Sequence, residues 1–386
     1  MSKIELIATS TFGLEELVKL EVKRLGYEQI TVENGKVTFI ADEAAIPRAN
    51  LWLRTADRVR LKIGEFKATS FEELFEQTKA LPWEDWIGEN DEFPVSGKSI
   101  KSQLFSVPNC QAIVKKAIVE RLKQKYDVEW FEEDGAKYPI EVALLKDTVT
   151  LTIDTSGKGL HKRGYRVDAT DAPIKETLAA AMVMISRWRE DRVMIDPFCG
   201  SGTIPIEAAM IGKNMAPGLN REFVSEGWNR VPESLWKAAR AEAMSSIRQD
   251  AEVKIQASDC DPAAIEIAKE NAREAGVEDC IEFKVQEMAK IKSDKEYGYI
   301  ICNPPYGERL GEQKEARQLY KRMGEVFEQF ETWSKYVITS DDQFEKLYGK
   351  KTNKKRKLYN GRIKVDYYQF FGPKPPASMM GKFKNK

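Results

Sequence analysis

The chain has 386 residues, 61 Lys/Arg against 61 Asp/Glu, 42% hydrophobic residues and one histidine, His161. That length exceeds what one compact core usually organises, and the composition can bury a sizeable core, so two or three domains are expected. A single histidine nearly excludes a histidine metal cluster, five widely spaced cysteines without a CxxC pair argue against zinc ribbons and disulfide frameworks, and no stretch approaches the roughly 20 apolar residues of a membrane span.

The N-terminal MSKIELIATS lacks the apolar run of a signal peptide, and an odd number of unpaired thiols fits a reducing compartment. A cytoplasmic protein with no metal and no membrane partner is the expectation. The zero net charge hides an asymmetry: residues 1–160 carry 22 basic and 27 acidic side chains, and the remainder 39 and 34. Lys350–Lys386 alone holds 12 basic residues and one acid, Asp366. A neutral protein can carry such a local field, although charge runs are often only solvated faces.

Along the chain, residues 4–9 read as a strand and Gly13–Leu25 as a helix with Leu14, Leu17, Val18 and Val22 at helical spacing, capped by Gly26. Two short strands meet at Asn34-Gly35, a hairpin pair. A strand then alternates Arg58, Arg60 and Lys62 with Val59, Leu61 and Ile63. Ser70 and Glu73 form a capping-box signature, Pro108–Tyr126 reads as a long basic helix, and a hairpin follows at roughly 139–153. From Arg192 the rhythm becomes strand, turn, helix, with strands at Val193–Ile195, Lys254–Ala257, Ile281–Val285, Tyr299–Cys302 and Tyr336–Thr339. Lys357–Tyr359 and Val365–Phe371 read as a closing hairpin. Short apolar strands separated by helices predict a parallel sheet covered on both faces, with ligands at the strands' carboxyl ends.

The polar motifs fall at those ends. DPFCGSGT, Asp196–Thr203, follows a buried strand and opens a helix. It lacks the Gly-Lys-Ser/Thr of a Walker loop, and Pro205 stands where a dinucleotide fingerprint needs its third glycine. S-adenosylmethionine remains, with Asp196 facing its ammonium group and Gly200 and Gly202 admitting its amino-acid portion. In ASDCDP, Asp259 is placed to accept the ribose hydroxyls of a nucleoside. Asp261 before Pro262 reads as an N-cap. Glu287, at the third strand's end, is a candidate partner for the adenine amine, or else a surface acid.

NPPY, Asn303–Tyr306, follows the strand YIIC. An exocyclic base amine is a weak nucleophile because its lone pair is delocalised. The Asn303 amide oxygen and the Pro304 carbonyl can accept its two hydrogens, Tyr306 can stack on the base, and Pro304 and Pro305 keep the loop rigid. Cys199, Cys260 and Cys302, without a base nearby, read as packing residues. Trp228 and Trp236 read as core or subdomain packing. In GLHKRGYR, Arg163 and Arg166 suggest phosphate contact, as do Lys354, Lys355 and Arg356 in the basic segment before the closing hairpin.

With these motifs the chain resembles the THUMP-domain RNA methyltransferases, most closely the bacterial 23S rRNA guanine-N2 methyltransferase group of the RlmL methyltransferase half and the YpsC-like proteins. The resemblance covers essentially the whole chain. Its most specific stretches are SGKGLHKRGYR (156–166), APIKETLAAAMV (172–183), DPFCGSGTIPIEAAM (196–210) and NPPYGERL (303–310). It implies a ferredoxin-like segment over 1–60, a THUMP RNA-binding domain over 61–155 and a Rossmann-like class I methyltransferase domain, with a mostly parallel seven-stranded sheet, over 165–386. S-adenosylmethionine binding carries over to Asp196, Gly200, Gly202 and Asp259, with Pro197, Phe198, Cys199 and Thr203 in the same loop. Catalysis carries over to Asn303, Pro304, Pro305 and Tyr306. The implied substrate is a guanine in RNA, 23S rRNA or an assembling ribosomal particle. Alternatives are a tRNA guanine-N2 methyltransferase or a non-catalytic assembly factor, the latter disfavoured by intact Asp196, Asp259 and Asn303. The net acidic N-terminal half leaves RNA contact there to local patches or shape.

Overall fold

The computed structural model describes residues 3–167, 173–307 and 312–377. Ala172 and Glu308–Leu310 of the motifs above, and the tail from Ser378, lie outside the described residues. In chain order the elements are β1 (Ile4–Ser10), α1 (Glu15–Arg24), β2 (Ile30–Glu33), β3 (Lys36–Ala41), α2 (Ala45–Trp52), β4 (Ala56–Lys67), α3 (Phe71–Lys79), β5 (Val95–Ile100), α4 (Val107–Tyr126), β6 (Ile140–Leu145) and β7 (Thr148–Asp154). There follow α5 (Glu176–Ser186), β8 (Met194–Asp196), α6 (Thr203–Gly212), α7 (Glu233–Ser245), β9 (Ile255–Asp259), α8 (Pro262–Glu274), β10 (Ile281–Val285), β11 (Tyr299–Cys302), α9 (Glu312–Glu328), β12 (Ser334–Thr339), α10 (Phe344–Tyr348), β13 (Lys354–Asn360) and β14 (Ile363–Phe370). They form two compact units: one of residues 1–10, 15–160 and 221–245, the other of 11–14, 161–220 and 246–386.

The first unit carries a seven-stranded sheet in the order β2-β3-β1-β4-β7-β6-β5. All its pairings are antiparallel except β5 with β6. β4 pairs with β1 on one edge and β7 on the other, so the expected boundary at residue 60 falls inside a strand that both segments share. The Ser70–Glu73 capping box forms: the Glu73 N–H donates to Ser70 Oγ at 3.2 Å, and the Ser70 N–H donates to Glu73 Oε2. The long interval after Gly202 supplies Arg221–Ser245 to this unit. There Trp228 stacks on Tyr138 at 4.5 Å between ring centroids and donates its indole N–H to the Lys137 carbonyl.

The second unit's sheet runs β10-β9-β8-β11-β12-β14-β13. The strands from β10 to β12 are parallel; β14 is antiparallel to β12, and β13 forms the edge. This is the mostly parallel class I methyltransferase sheet. Its strand order reverses between β8 and β11, the switch point where a crevice opens at the carboxyl ends. One face is filled by Ile300, Cys302, Tyr320, Met323, Phe327, Trp333, Val337 and Phe370, all nearly or fully buried. Lys354–Lys357 lie within β13 itself, so the basic segment is a strand rather than a tail before the hairpin.

Candidate active site

At the end of β8 the chain must turn sharply into α6. Gly202 makes the turn with φ +82°, and a side chain there would press on Ala268 at 3.0 Å. The loop is tied to β9, since the Cys199 N–H donates to the Ser258 carbonyl and the Gly200 N–H donates to Asp259 Oδ2, each at 3.0 Å. Asp259 Oδ1 also accepts the Asp261 N–H, and Asp261 caps α8 through the Ala263 N–H, as expected from Asp-Pro.

A cavity of about 650 Å³ opens over these ends. It is lined by Asp196, Phe198, Cys199, Gly200, Thr203, Asp259 and Glu287 of the expected cofactor set, and by Asn303, Pro304, Pro305 and Tyr306 of the expected catalytic set. Pro197 and Gly202 shape the loop without lining the cavity. Cys199 and Cys302 are buried, Cys199 in the cavity wall, whereas Cys260 is exposed and also lines the cavity, contrary to the packing expectation. Glu287 stands at the rim, 4.0 Å from Arg322.

Asp196 is fully buried. One oxygen accepts the Phe198 N–H at 3.1 Å, and the other, Oδ2, has no hydrogen-bond partner. Burial, aided by the nearby Asp259, pushes its carboxyl well above the usual carboxylate range. A buried acceptor without a donor costs about 1–3 kcal/mol, so this oxygen calls for a cationic donor from a ligand. The ammonium group of S-adenosylmethionine is such a donor, and the glycine loop and Asp259 fit the rest of that molecule.

The NPPY loop leaves β11 beside β8. The Tyr306 hydroxyl donates to Asn303 Oδ1 at 2.6 Å, fixing which end of the amide presents its oxygen. Sequence reasoning missed the brace beneath: Tyr320 of α9, fully buried, donates to the Pro305 carbonyl at 2.8 Å and shares a hydrogen bond with Thr339. Its sequence signal was only an apolar helical stripe. Asn360 and Ile363, flanking the β13–β14 turn, also line the cavity and were not anticipated.

The two arginines expected on phosphate do something else. Arg163 is 3% exposed and pairs with the fully buried Glu207 at 3.2 Å, so its guanidinium is spent inside the protein. Arg166 pairs with Glu176 and donates to Ser201 Oγ, Thr203 Oγ1 and the Ile174 carbonyl. It braces the glycine loop, and a phosphate would have to displace all four partners. Lys354 and Lys355 are exposed; Lys355 pairs with Asp366 at 3.5 Å, and Arg356 is partly buried with its Nε unpartnered. Strand alternation sends Arg356 to the opposite face from Lys355, so these three side chains do not form one surface. Among the described residues no cluster could hold a metal, and no helix is long and apolar enough to cross a membrane.

A glycine loop on the first parallel strand, an acid ending the second and an Asn-Pro-Pro-Tyr loop on the fourth, around one cavity, define a class I methyltransferase site. Residues 163–369 match the RMKL-like methyltransferase domain, residues 5–60 the RlmL ferredoxin-like domain and residues 68–154 the THUMP domain. Over 378 residues the chain is 55% identical to YpsC of Bacillus subtilis (strain 168), described as a candidate RNA methyltransferase, covering 97% of this chain and 98% of that one. A crystal structure from Listeria monocytogenes, described as a predicted N6-adenine-specific DNA methylase, is 56% identical and superposes with a TM-score of 0.93 over 97% of each chain. SMU.472, a candidate methyltransferase solved in complex with SAH, is 45% identical with a TM-score of 0.92 over 97% of this chain and 100% of its own. The chain belongs to the RlmL/YpsC family of methyltransferases, with ferredoxin-like and THUMP domains preceding the RMKL-like methyltransferase domain.

Proposed function

We propose that this S-adenosylmethionine-dependent methyltransferase methylates the exocyclic N2 amine of a guanine in RNA, in 23S rRNA, within the cytoplasm. The observation that carries the reading is that Asn303 and Pro304 line the same cavity as Asp196 and Asp259. When bound, the cofactor would supply an electrophilic methyl carbon: the nitrogen–carbon bond forms as the carbon–sulfur bond breaks, the sulfur leaves as a neutral thioether, and the surplus amine proton passes to water. Asp196 Oδ2 would meet its ammonium group and Asp259 its ribose. Asn303 Oδ1 and the Pro304 carbonyl accept the two amine hydrogens, freeing the nitrogen lone pair and stabilising the charge that develops on it. Tyr320 and the two prolines hold the acceptors in place, and Tyr306 stacks on the base. The THUMP match supports RNA over DNA, and the stretch NPPYGERL, shared with the guanine-N2 group, supports guanine over adenine.

Two measurements test the reading. Nucleoside analysis of 23S rRNA from cells lacking the protein should show loss of one N2-methylguanosine. Loss of a tRNA guanosine mark or of N6-methyladenine in DNA instead would redirect the substrate. In single turnover, Asn303→Ala should slow transfer on the order of a hundredfold with cofactor affinity nearly intact. A rate within twofold of wild type would remove Asn303 from the chemistry.

A further inference from the structure

The cavity has an end that the cofactor and the NPPY loop leave unassigned. The residues given to the cofactor end or follow β8, β9 and β10, which all lie to one side of β11 in the second sheet. β12, β14 and β13 lie on the other side of β11. A wall contributed from that side faces the substrate, because the groups that bind the cofactor are across the NPPY loop from it. Asn360 of β13 and Ile363 of β14 line the cavity, and they belong to that far side.

The hairpin that carries them overhangs the sheet. β14 pairs with β12 from Asp366, opposite Thr339, to Phe370, opposite Lys335, whereas it pairs with β13 from Ile363 onward. Residues 363–365 and their partners 358–360 therefore run past the end of β12 as a two-stranded arm. Because β14 is antiparallel to β12, the arm points beyond the carboxyl end of β12, where the parallel strands open their crevice. Gly361 closes the arm with φ +63°, the positive φ that a two-residue hairpin turn needs at its first position. Leu358 opposes Val365 at the root, and both are buried. Asn360 opposes Ile363 two residues further along each strand, so all four side chains share one face. The opposite face is braced, since the Tyr359 ring meets Phe12 edge-on at 6.5 Å between centroids. The face sealed in the core at the root thus emerges at the tip as cavity wall.

Among the described residues the Asn360 carboxamide has no hydrogen-bond partner, so its oxygen and its amide hydrogens are both available. A guanine whose N2 amine is held by Asn303 and Pro304 presents beside that amine a donor, N1–H, and then an acceptor, O6. A carboxamide matches this pair in one plane: its oxygen accepts from N1–H and its nitrogen donates to O6. Adenine with its N6 amine in the same place presents the acceptor N1 and then C2–H, which leaves the amide one hydrogen bond. Cytosine presents two acceptors, one of which meets the amide oxygen. We infer that Asn360 selects the target base by pairing with the Watson–Crick edge of guanine, while Ile363 packs on the same base. The inference rests on the guanine reading above and names the side chain that makes that choice.

The test uses the full chain, labelled S-adenosylmethionine and total RNA from cells lacking the protein. Digestion to nucleosides identifies the product, and kcat/KM is measured on the RNA that accepts the methyl group. Asn360→Ala should lower kcat/KM about 10- to 100-fold, the loss of two hydrogen bonds, with cofactor affinity and melting temperature unchanged. A second acceptor carries a 2-aminopurine ribonucleotide at the methylated position. It keeps the reactive 2-amine and lacks both N1–H and O6. The wild type's preference for guanine over 2-aminopurine should shrink by the same factor of about 10 to 100 in Asn360→Ala. Removing a merely structural amide would slow both acceptors alike. Equal slowing, or a kcat/KM on guanine within about twofold of wild type, would overturn the role of Asn360 and leave the guanine reading standing. No N2-methylguanosine from the wild type would overturn both.

Discussion

The two sheets treat charged side chains in opposite ways. In the first, the basic row of β4 is neutralised along its length: Arg58 pairs with Asp154 at 2.5 Å, Arg60 with Glu141 at 3.0 Å and Lys62 with Glu5 at 2.9 Å. Arg58 also donates to the Gly157 carbonyl. In the second, Asp196 sits fully buried at the end of β8 with one oxygen facing no donor. Paired charges inside a protein hold the fold, and an unpaired one reports a place kept for something else. The same residue types therefore mean structure in one sheet and chemistry in the other, and only the partners tell them apart.

The comparison breaks first at Asp196. Asp196→Asn keeps the acceptor for the Phe198 N–H and removes the charge. Cofactor affinity should fall about 10- to 150-fold, the worth of a charge-assisted hydrogen bond of about 1.5–3 kcal/mol. Without cofactor the variant should melt at a higher temperature than wild type. Because the folded carboxyl is raised above its ordinary value, the empty wild type loses stability as pH rises through the window between the two, and the amide does not. Cofactor affinity of the wild type should correspondingly rise with pH across that window. Calorimetry showing equal affinity, or a melting temperature that falls in Asp196→Asn, would mean the orphaned oxygen is not kept for a ligand.

The converse change belongs in the first sheet. Arg58→Gln leaves Asp154, whose side chain is 9% exposed, without its cation. Urea unfolding should show a loss of about 1–3 kcal/mol, with cofactor affinity unchanged. A cofactor effect of tenfold or more would erase the distinction between the sheets.

The smallest expected effect sharpens the contrast within the second sheet. Lys335 on β12 is buried, its ammonium group donates to the Phe330 carbonyl, and burial, helped by Lys350, lowers its pKa to about 8. The unfolded chain then binds more protons between about pH 8 and the ordinary 10.5, so stability should rise with pH across that window. Lys335→Met should flatten this rise and add on the order of 1 kcal/mol at pH 7, read from melting curves over pH. A pH dependence identical to wild type would show that Lys335 is solvated in the folded state.

Much of this was legible in the sequence. Strands β10 and β11 begin and end where the sequence places them, the Ser70 capping box and the Asp261-Pro262 cap form as their spacing requires, and the motifs at the strand ends share one cavity. These signals are local, and local chemistry survives folding. What failed was partnership. Arg163 sits in a basic run that reads as a phosphate contact, and nothing near it announces that Glu207, 44 residues on, will bury against it. Arg166 is captured likewise by Glu176, Ser201 and Thr203. The Tyr320 brace and the exposure of Cys260 depend on how a helix and a turn are set against the sheet, which no spacing encodes. β4, in which the boundary at residue 60 falls, pairs with β1 before it and with β7 after it, a sharing that no local spacing encodes.

The assignment of Arg221–Ser245 to the first unit sets a timetable for synthesis. Sixty residues, 161–220, separate this segment from the rest of its unit. At about 5–20 residues per second, a ribosome needs roughly 3–12 s to cross that gap. For that interval Tyr138 lacks the indole it stacks on, and the nascent unit waits with an aromatic face uncovered while β8 and α6 of the other unit are already emerging. The N-terminal half of this protein, first to be made, is not the first that can be finished.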